Sequence, residues 1–295
     1  MNNMKNKYQY DWTIYLAFGV TITLWASAFP VIKVALQDFE AIHLSTLRLV
    51  IASIMMLLIV SIKKIPFPDV KDVPLILFLG VCGFVVYHMT LSIGEYYVSA
   101  GIASLLVSTT PIFSAILAVC LLKDSFPKVA WIGSIISFLG VALISLANDT
   151  SLTSSVCGIL LILIASFSES IYFTFQKSLL EKYGFIPLTI YTMIAGGLCM
   201  LVWLPGSLND LQQAHINTVI ALCYLGVGPT VVPYIALAYT IQRVGVSDAT
   251  LSLYLTPVVA LIISYMLLRE IPAFFEIVGG IITLIGVVMT AFRTS

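Results

Sequence analysis

One pattern occurs twice in this chain, 146 residues apart. Ala103–Asp124 followed by Ile132–Val141 is matched, without a gap, by Ala249–Glu270 followed by Val278–Val287. Pro111 falls on Pro257, Leu121 and Leu122 on Leu267 and Leu268, Gly133 on Gly279 and Gly140 on Gly286. A duplication of this kind makes each copy a structural unit, and predicts a fold of two related halves about a shared centre.

Both copies are almost wholly apolar. The chain is 60% hydrophobic and 9% charged, where a soluble domain carries roughly a quarter charged residues; its mean hydropathy is +1.07. No soluble core could hide so much apolar side chain, so the surrounding solvent is lipid. A spanning helix needs about 20 mostly apolar residues, and ten runs qualify: 12–36, 41–62, 74–94, 98–122, 129–147, 156–180, 187–205, 216–240, 248–268 and 275–292. The expected fold is an all-α polytopic membrane protein, with ten transmembrane helices as two inverted five-helix repeats, 12–147 and 156–292. The formal net charge is zero, which gives no footprint for nucleic acid. Cys82, Cys120, Cys157, Cys199 and Cys223 are scattered through apolar runs without a CxxC, and read as small core residues. Neither a metal nor an organic cofactor is expected.

Lys5 and Lys7, the apolar run from Trp12 and the Ala26-Ser27-Ala28 triplet imitate a signal peptide with its cleavage site. Cleavage there would remove half of the first span and break the match between halves, so the run reads as a span. With the N-terminus in the cytoplasm, 11 of the 14 Lys and Arg fall inside. Lys33 and Arg48 lie within spans, and Arg269 alone falls in an outside loop. The positive-inside bias thus predicts a multi-pass inner or plasma membrane protein with both termini cytoplasmic. Arg269 fits the duplication: five spans per half is odd, so the Arg269-Glu270 end of the second copy emerges opposite the Lys123-Asp124 end of the first.

At about 1.5 Å per residue, Trp25, His88, Pro111, Glu169, Pro229 and Pro257 all fall near the bilayer centre. Polar or helix-breaking residues at that depth face protein or water rather than lipid, and their common depth predicts one cavity. Pro111 and Pro257 each remove a backbone hydrogen bond. The freed carbonyls, with Ser108, Thr109, Thr110 and Thr256, offer groups to a substrate; alternatively the hydroxyls bond back to their own helix and the prolines only kink it. Gly226-Val227-Gly228-Pro229 through Pro233 suggests a discontinuous or bent eighth helix. Glu169 could bind an amine or carry a proton, or form a neutral structural bond. His88, beside Tyr87, reads as a ligand or a structural donor. Lys33 and Arg48 either snorkel to headgroups or form an outer gate with Asp38, Glu40 or Glu95. Tyr172, Tyr234 and Tyr254 complete the candidate cavity. Gly133, Gly140, Gly279, Gly280 and Gly286 fit close helix packing.

Trp25 through Lys33, the Leu47-Arg48 pair and the two proline–leucine–acidic blocks with their spaced glycines resemble the drug/metabolite transporter superfamily, EamA type, over essentially the whole chain. The ends differ from the common family pattern, with Lys123-Asp124 and Arg269-Glu270 after the paired leucines. The resemblance implies a transporter working by alternating access, usually an exporter of amino acids or related small metabolites, with protons as a candidate coupling ion and a monomer or homodimer as the assembly. The competing classes are a non-transporting membrane receptor or assembly protein, and a polytopic membrane enzyme. The latter lacks any HExxH, GxSxG, paired aspartates or acidic metal cluster.

Overall fold

A computed structural model of the chain describes residues 11–122, 128–146, 152–244 and 255–291. Among these residues there are fourteen α-helices and no strand. The first two spans are α1 (Trp12–Ala35) and α2 (Ala41–Lys63). The third is compound: α3 (Val73–Gly80), a π-helical segment (Val81–Val86) and α4 (Tyr87–Gly94). The fourth breaks into α5 (Ala100–Val107) and α6 (Thr110–Leu122), and α7 (Lys128–Leu146) is the fifth. In the second half α8 (Leu152–Phe175) runs into the short α9 (Lys177–Tyr183), followed by α10 (Phe185–Met200), α11 (Leu204–Gln213), α12 (Ile216–Val244), α13 (Thr256–Leu268) and α14 (Phe274–Ala291). Six helical stretches are long and apolar enough to cross a membrane. Four shorter apolar ones (Ala100–Ser114, Trp131–Ile144, Thr256–Leu268 and Phe274–Met289) fall on the four remaining runs.

If spans one to five exchange with six to ten, every principal packing contact must have a twin, and it does. The first span packs on the eighth and ninth as the sixth packs on the third and fourth. The second packs on the eighth as the seventh packs on the third. The second and seventh meet each other, as do the fifth and tenth. Five spans per half make the two units antiparallel, so the halves are inverted.

The α7–α14 contact shows the symmetry at atomic scale. A Cβ added at Gly140 would lie 2.6 Å from the Gly279 carbonyl oxygen, and one at Gly286 would lie 2.4 Å from that of Gly133. Each helix therefore brings its backbone against its partner through glycines at equivalent places. The outer surface is correspondingly apolar: Ile62, Leu139, Val202 and Met266 are all well exposed, as a lipid solvent requires.

Three departures from the expected spans have local causes. The fourth run is two helices, because the chain turns at Ser108-Thr109 before Pro111 restarts it. The link expected after the seventh run is itself the helix α11, whose first turn carries Pro205. The eighth helix is not discontinuous: α12 runs helical through Pro229 and Pro233.

Polar contacts tie the segments flanking α2 to those around α9, α11 and the start of α12, at both ends of the bundle. At one end Asp38 Oδ2 accepts from the His215 backbone N–H at 2.8 Å and from Thr218 Oγ1 at 2.6 Å. Beside it, Asp210 Oδ2 accepts from the Glu40 N–H at 3.0 Å and meets His43 Nδ1 at 2.7 Å. At the other end Lys182 bridges Asp69 and Asp72, and the Tyr183 hydroxyl donates to Asp72.

Candidate functional site

Two buried apolar clusters fill the bundle. At their junction lies a cavity of about 40 Å³, room for a few waters, with walls from both halves. The first half contributes Trp25, Arg48, Tyr87, His88, Ser108, Thr110 and Pro111; the second contributes Glu169, Pro229, Tyr234, Thr256 and Pro257.

The third span aims its residues through the π segment. Widening the helix frees carbonyls, and side chains from the second half take them: Ser168 Oγ donates to the Cys82 carbonyl at 2.8 Å, and the Tyr234 hydroxyl to that of Gly83 at 3.4 Å. Gly83 is required here, because a Cβ would lie 2.6 Å from the Tyr172 ring. Directly after the segment, Tyr87 and His88 face the cavity. His88 Nδ1 sits 3.0 Å from the Phe84 carbonyl, so the proton belongs on Nδ1.

The carbonyls freed by proline are likewise occupied. Pro229 has no N–H for Leu225, and Thr230 Oγ1 donates to that carbonyl at 2.7 Å instead. Pro233 leaves the Pro229 carbonyl without its helical donor, and the Trp25 indole supplies one at 3.2 Å from the other half. Pro111 does the same to Val107, whose carbonyl accepts from Thr110 Oγ1 at 2.8 Å. Ser108 and Thr109 donate back to Leu105 and Leu106 at 2.6 and 2.7 Å. The carbonyls around Pro111 are therefore not free for a ligand, and the back-bonding alternative is the one observed. What the breaks do provide is two half-helices, α6 and α13, that both begin on a Thr-Pro pair at the cavity wall.

Two charged side chains reach the cavity. Glu169, 3% exposed, has only long contacts: Thr110 Oγ1 to Oε2 and the Tyr234 hydroxyl to Oε1, both 3.4 Å. Arg48 is also 3% exposed. It neither snorkels nor pairs with Asp38, which is taken by His215 and Thr218.

Ten of the fourteen residues singled out from sequence line this cavity: Trp25, Arg48, Tyr87, His88, Ser108, Pro111, Glu169, Pro229, Tyr234 and Pro257. Lys33 and Thr109 do not, and Tyr172 is buried behind the wall against Gly83. Tyr254 lies outside the described residues. Ala28, Phe29, Leu91, Ser104 and Val107 complete the lining without having been anticipated. Nothing in their type marks them, although Phe29 is four residues beyond Trp25 on the same helix face.

The EamA-like transporter family model matches this chain twice, at residues 11–146 and 156–292. The Bacillus subtilis protein named "Uncharacterized transporter YdfC" is 48% identical over 96% of this chain and 92% of its own length. The "Probable terminal-alkyne amino-acid exporter" of Streptantibioticus cattleyicolor is 31% identical, over 94% of this chain and 93% of its own. A solved structure titled "Crystal structure of protein" superposes with a TM-score of 0.60 at 14% identity, covering 94% of this chain and 95% of that one; the likeness concerns the fold alone.

Proposed function

The chain belongs to the EamA-like transporter family of the drug/metabolite transporter superfamily, and from that premise we propose that it exports amino acids or related small metabolites across the cell membrane by alternating access. The observation that carries this reading is a cavity with walls from both inverted halves, containing one buried cation and one buried acid. The two half-helices starting at Thr110-Pro111 and Thr256-Pro257 meet it from opposite repeats, so exchanging the arrangements of the halves would turn the cavity from one face of the membrane to the other. The amino-acid substrate class draws on the name of the Streptantibioticus relative. The distribution of Lys and Arg supports cytoplasmic termini.

Glu169 is the group proposed to exchange protons. The Thr110 hydroxyl has a single proton, and its 2.8 Å contact with the Val107 carbonyl commits it there. The lone pairs of that hydroxyl then face Glu169 Oε2, which suits a protonated carboxyl that donates. Releasing the proton leaves two carboxylate oxygens short of donors and draws a cation or a rearrangement to the site.

The test is efflux of radiolabelled amino acids from vesicles holding purified protein, with and without a pH gradient, for the wild type and Glu169→Gln. Expected are protein-dependent efflux that responds to the gradient, and a Glu169→Gln protein that folds but has lost that response. Absence of protein-dependent movement across the amino-acid set overturns the substrate class; an unchanged response removes Glu169 as the proton site.

A further inference from the structure

We propose that Arg48 is the anchor for a carboxylate, so that the cavity accepts molecules with a free carboxylate on an apolar body and rejects their amides and their amine analogues. Its biological meaning rests on the transport reading, whereas the anion site itself does not.

The guanidinium carries five N–H donors and keeps its charge at any physiological pH. Only one donor is placed: Nη2 donates to Thr230 Oγ1 at 3.3 Å. That hydroxyl can only accept, since its own proton goes to the Leu225 carbonyl at 2.7 Å. Nε and Nη1 are buried with no hydrogen-bond partner, and no carboxylate lies within 4.0 Å of Arg48 among the described residues. A buried cation with unfilled donors beside a cavity is what an anionic ligand would complete.

The two nearby acids do not fill the role. Glu169 is held from the other side by Thr110 and Tyr234. Glu95 is fully buried and its field reaches Arg48, yet it does not touch the guanidinium, its own two oxygens are without partners, and its backbone lies at a different level of the bundle. Ser45 Oγ lies 3.0 Å from the His88 carbonyl oxygen and 3.2 Å from Ser92 Oγ, which fixes the level at which α2 and α4 cross. Arg48 is one turn beyond Ser45 towards the cavity and Glu95 one turn beyond Ser92 away from it. At about 1.5 Å per residue, antiparallel helices then separate the two by roughly 9 Å along their axes.

The lining restricts the ligand further. Arg48 is the only Lys or Arg among the lining residues, so its single positive charge matches a monoanion rather than a dianionic phosphate. A planar carboxylate can take two N–H groups of the guanidinium at once. Trp25, Phe29, Tyr87 and Tyr234 form the remaining wall, which favours an apolar or aromatic body. The present cavity of about 40 Å³ holds a group of carboxylate size; the body enters as the cavity widens.

The test uses purified full-length protein in a carboxylate-free buffer and three probes of one shape: benzoate, benzamide and benzylamine. Thermal unfolding is followed by tryptophan fluorescence. Benzoate is expected to stabilise the wild type saturably while the neutral and cationic probes do not. Its apparent affinity is expected to fall by roughly tenfold or more in Arg48→Gln, where the charge is gone. Arg48→Lys keeps the charge and loses the fork, so it serves if the first variant does not fold, with weakened benzoate binding expected. Equal stabilisation by benzamide, unchanged benzoate affinity in whichever variant folds, or no effect of benzoate on the wild type overturns the proposal. Arg48-dependent benzoate binding by a protein that transports no amino acid leaves the anion site standing and removes the substrate assignment, so the two failures are distinguishable.

Discussion

The Trp25 indole N–H donates to the Pro229 carbonyl oxygen at 3.2 Å, joining residues 204 positions apart. The carbonyl needs this donor because Pro233, one helical turn on, has no N–H to give. The same ring stands edge-on to Tyr234, with centroids 5.4 Å apart, so one residue of the first half both satisfies and orients α12. Trp25→Phe preserves the ring contact and removes the donor. An orphaned buried carbonyl costs about 1–3 kcal/mol; thermal unfolding should fall accordingly, with transport reduced in protein that still inserts.

The paired glycines of α7 and α14 predict matched defects. Gly140→Ala and Gly286→Ala each drive a methyl into backbone at 2.6 Å or less, and overpacking of this kind costs about 1–3 kcal/mol. Gly19 in α1 has nothing within 4 Å of its added Cβ, so Gly19→Ala should be neutral or stabilising by up to about 1 kcal/mol. Unfolding of the three variants in one detergent checks the contrast.

Pro111→Ala and Pro257→Ala test whether the helix starts matter. Proline is well suited to the first turn of a helix, and replacing it should leave abundance near wild type. The new backbone N–H at 111 competes with Thr110 for the Val107 carbonyl and favours fusing α5 with α6 across the Ser108-Thr109 turn. Transport should fall several-fold in each variant at equal protein level. Normal transport by either would reduce that proline to a packing residue.

Asp38 predicts an acid-sensitive contribution at one end of the bundle. The Thr218 hydroxyl, followed by the His215 backbone N–H and ring, holds its carboxyl down at about 2 from an ordinary 3.8. The carboxylate is thus the form favoured by folding. Its contribution is fully present above the ordinary value and is lost as pH falls from 3.8 towards 2. The difference in unfolding temperature between wild type and Asp38→Asn should therefore be present near neutrality and should vanish across that window.

The ten runs and their inversion were legible because lipid forces every span to be apolar, and because Pro111, Pro257 and the glycines repeat without a gap. The depth estimate brought all six residues that it placed at the bilayer centre, Trp25, His88, Pro111, Glu169, Pro229 and Pro257, to one cavity for the same reason: rise per residue is fixed in a helix. What failed depended on partners far away in sequence. The continuity of α12 through two prolines rests on Thr230 and on Trp25 from the opposite half. The π segment at Val81–Val86 has no breaker other than Gly83 to announce it. Arg48 was open to reading as a headgroup contact or an outer gate, because distance from the helix end says nothing about which way a side chain turns, and it turns towards the cavity.

The clasps at His43–Asp210 and Lys182–Asp72 tie the two flanks of α2 to α11 and α9, the segments on either side of its antiparallel partner α10, at opposite ends. A pair pinned at both tips cannot splay at either, and so behaves as a keel. With both clasps closed, any widening of the cavity has to come from the remaining spans swinging against that keel. A covalent link between α2 and α10 should then leave transport running, while a link from α1 to α12 or from α4 to α8 should stall it.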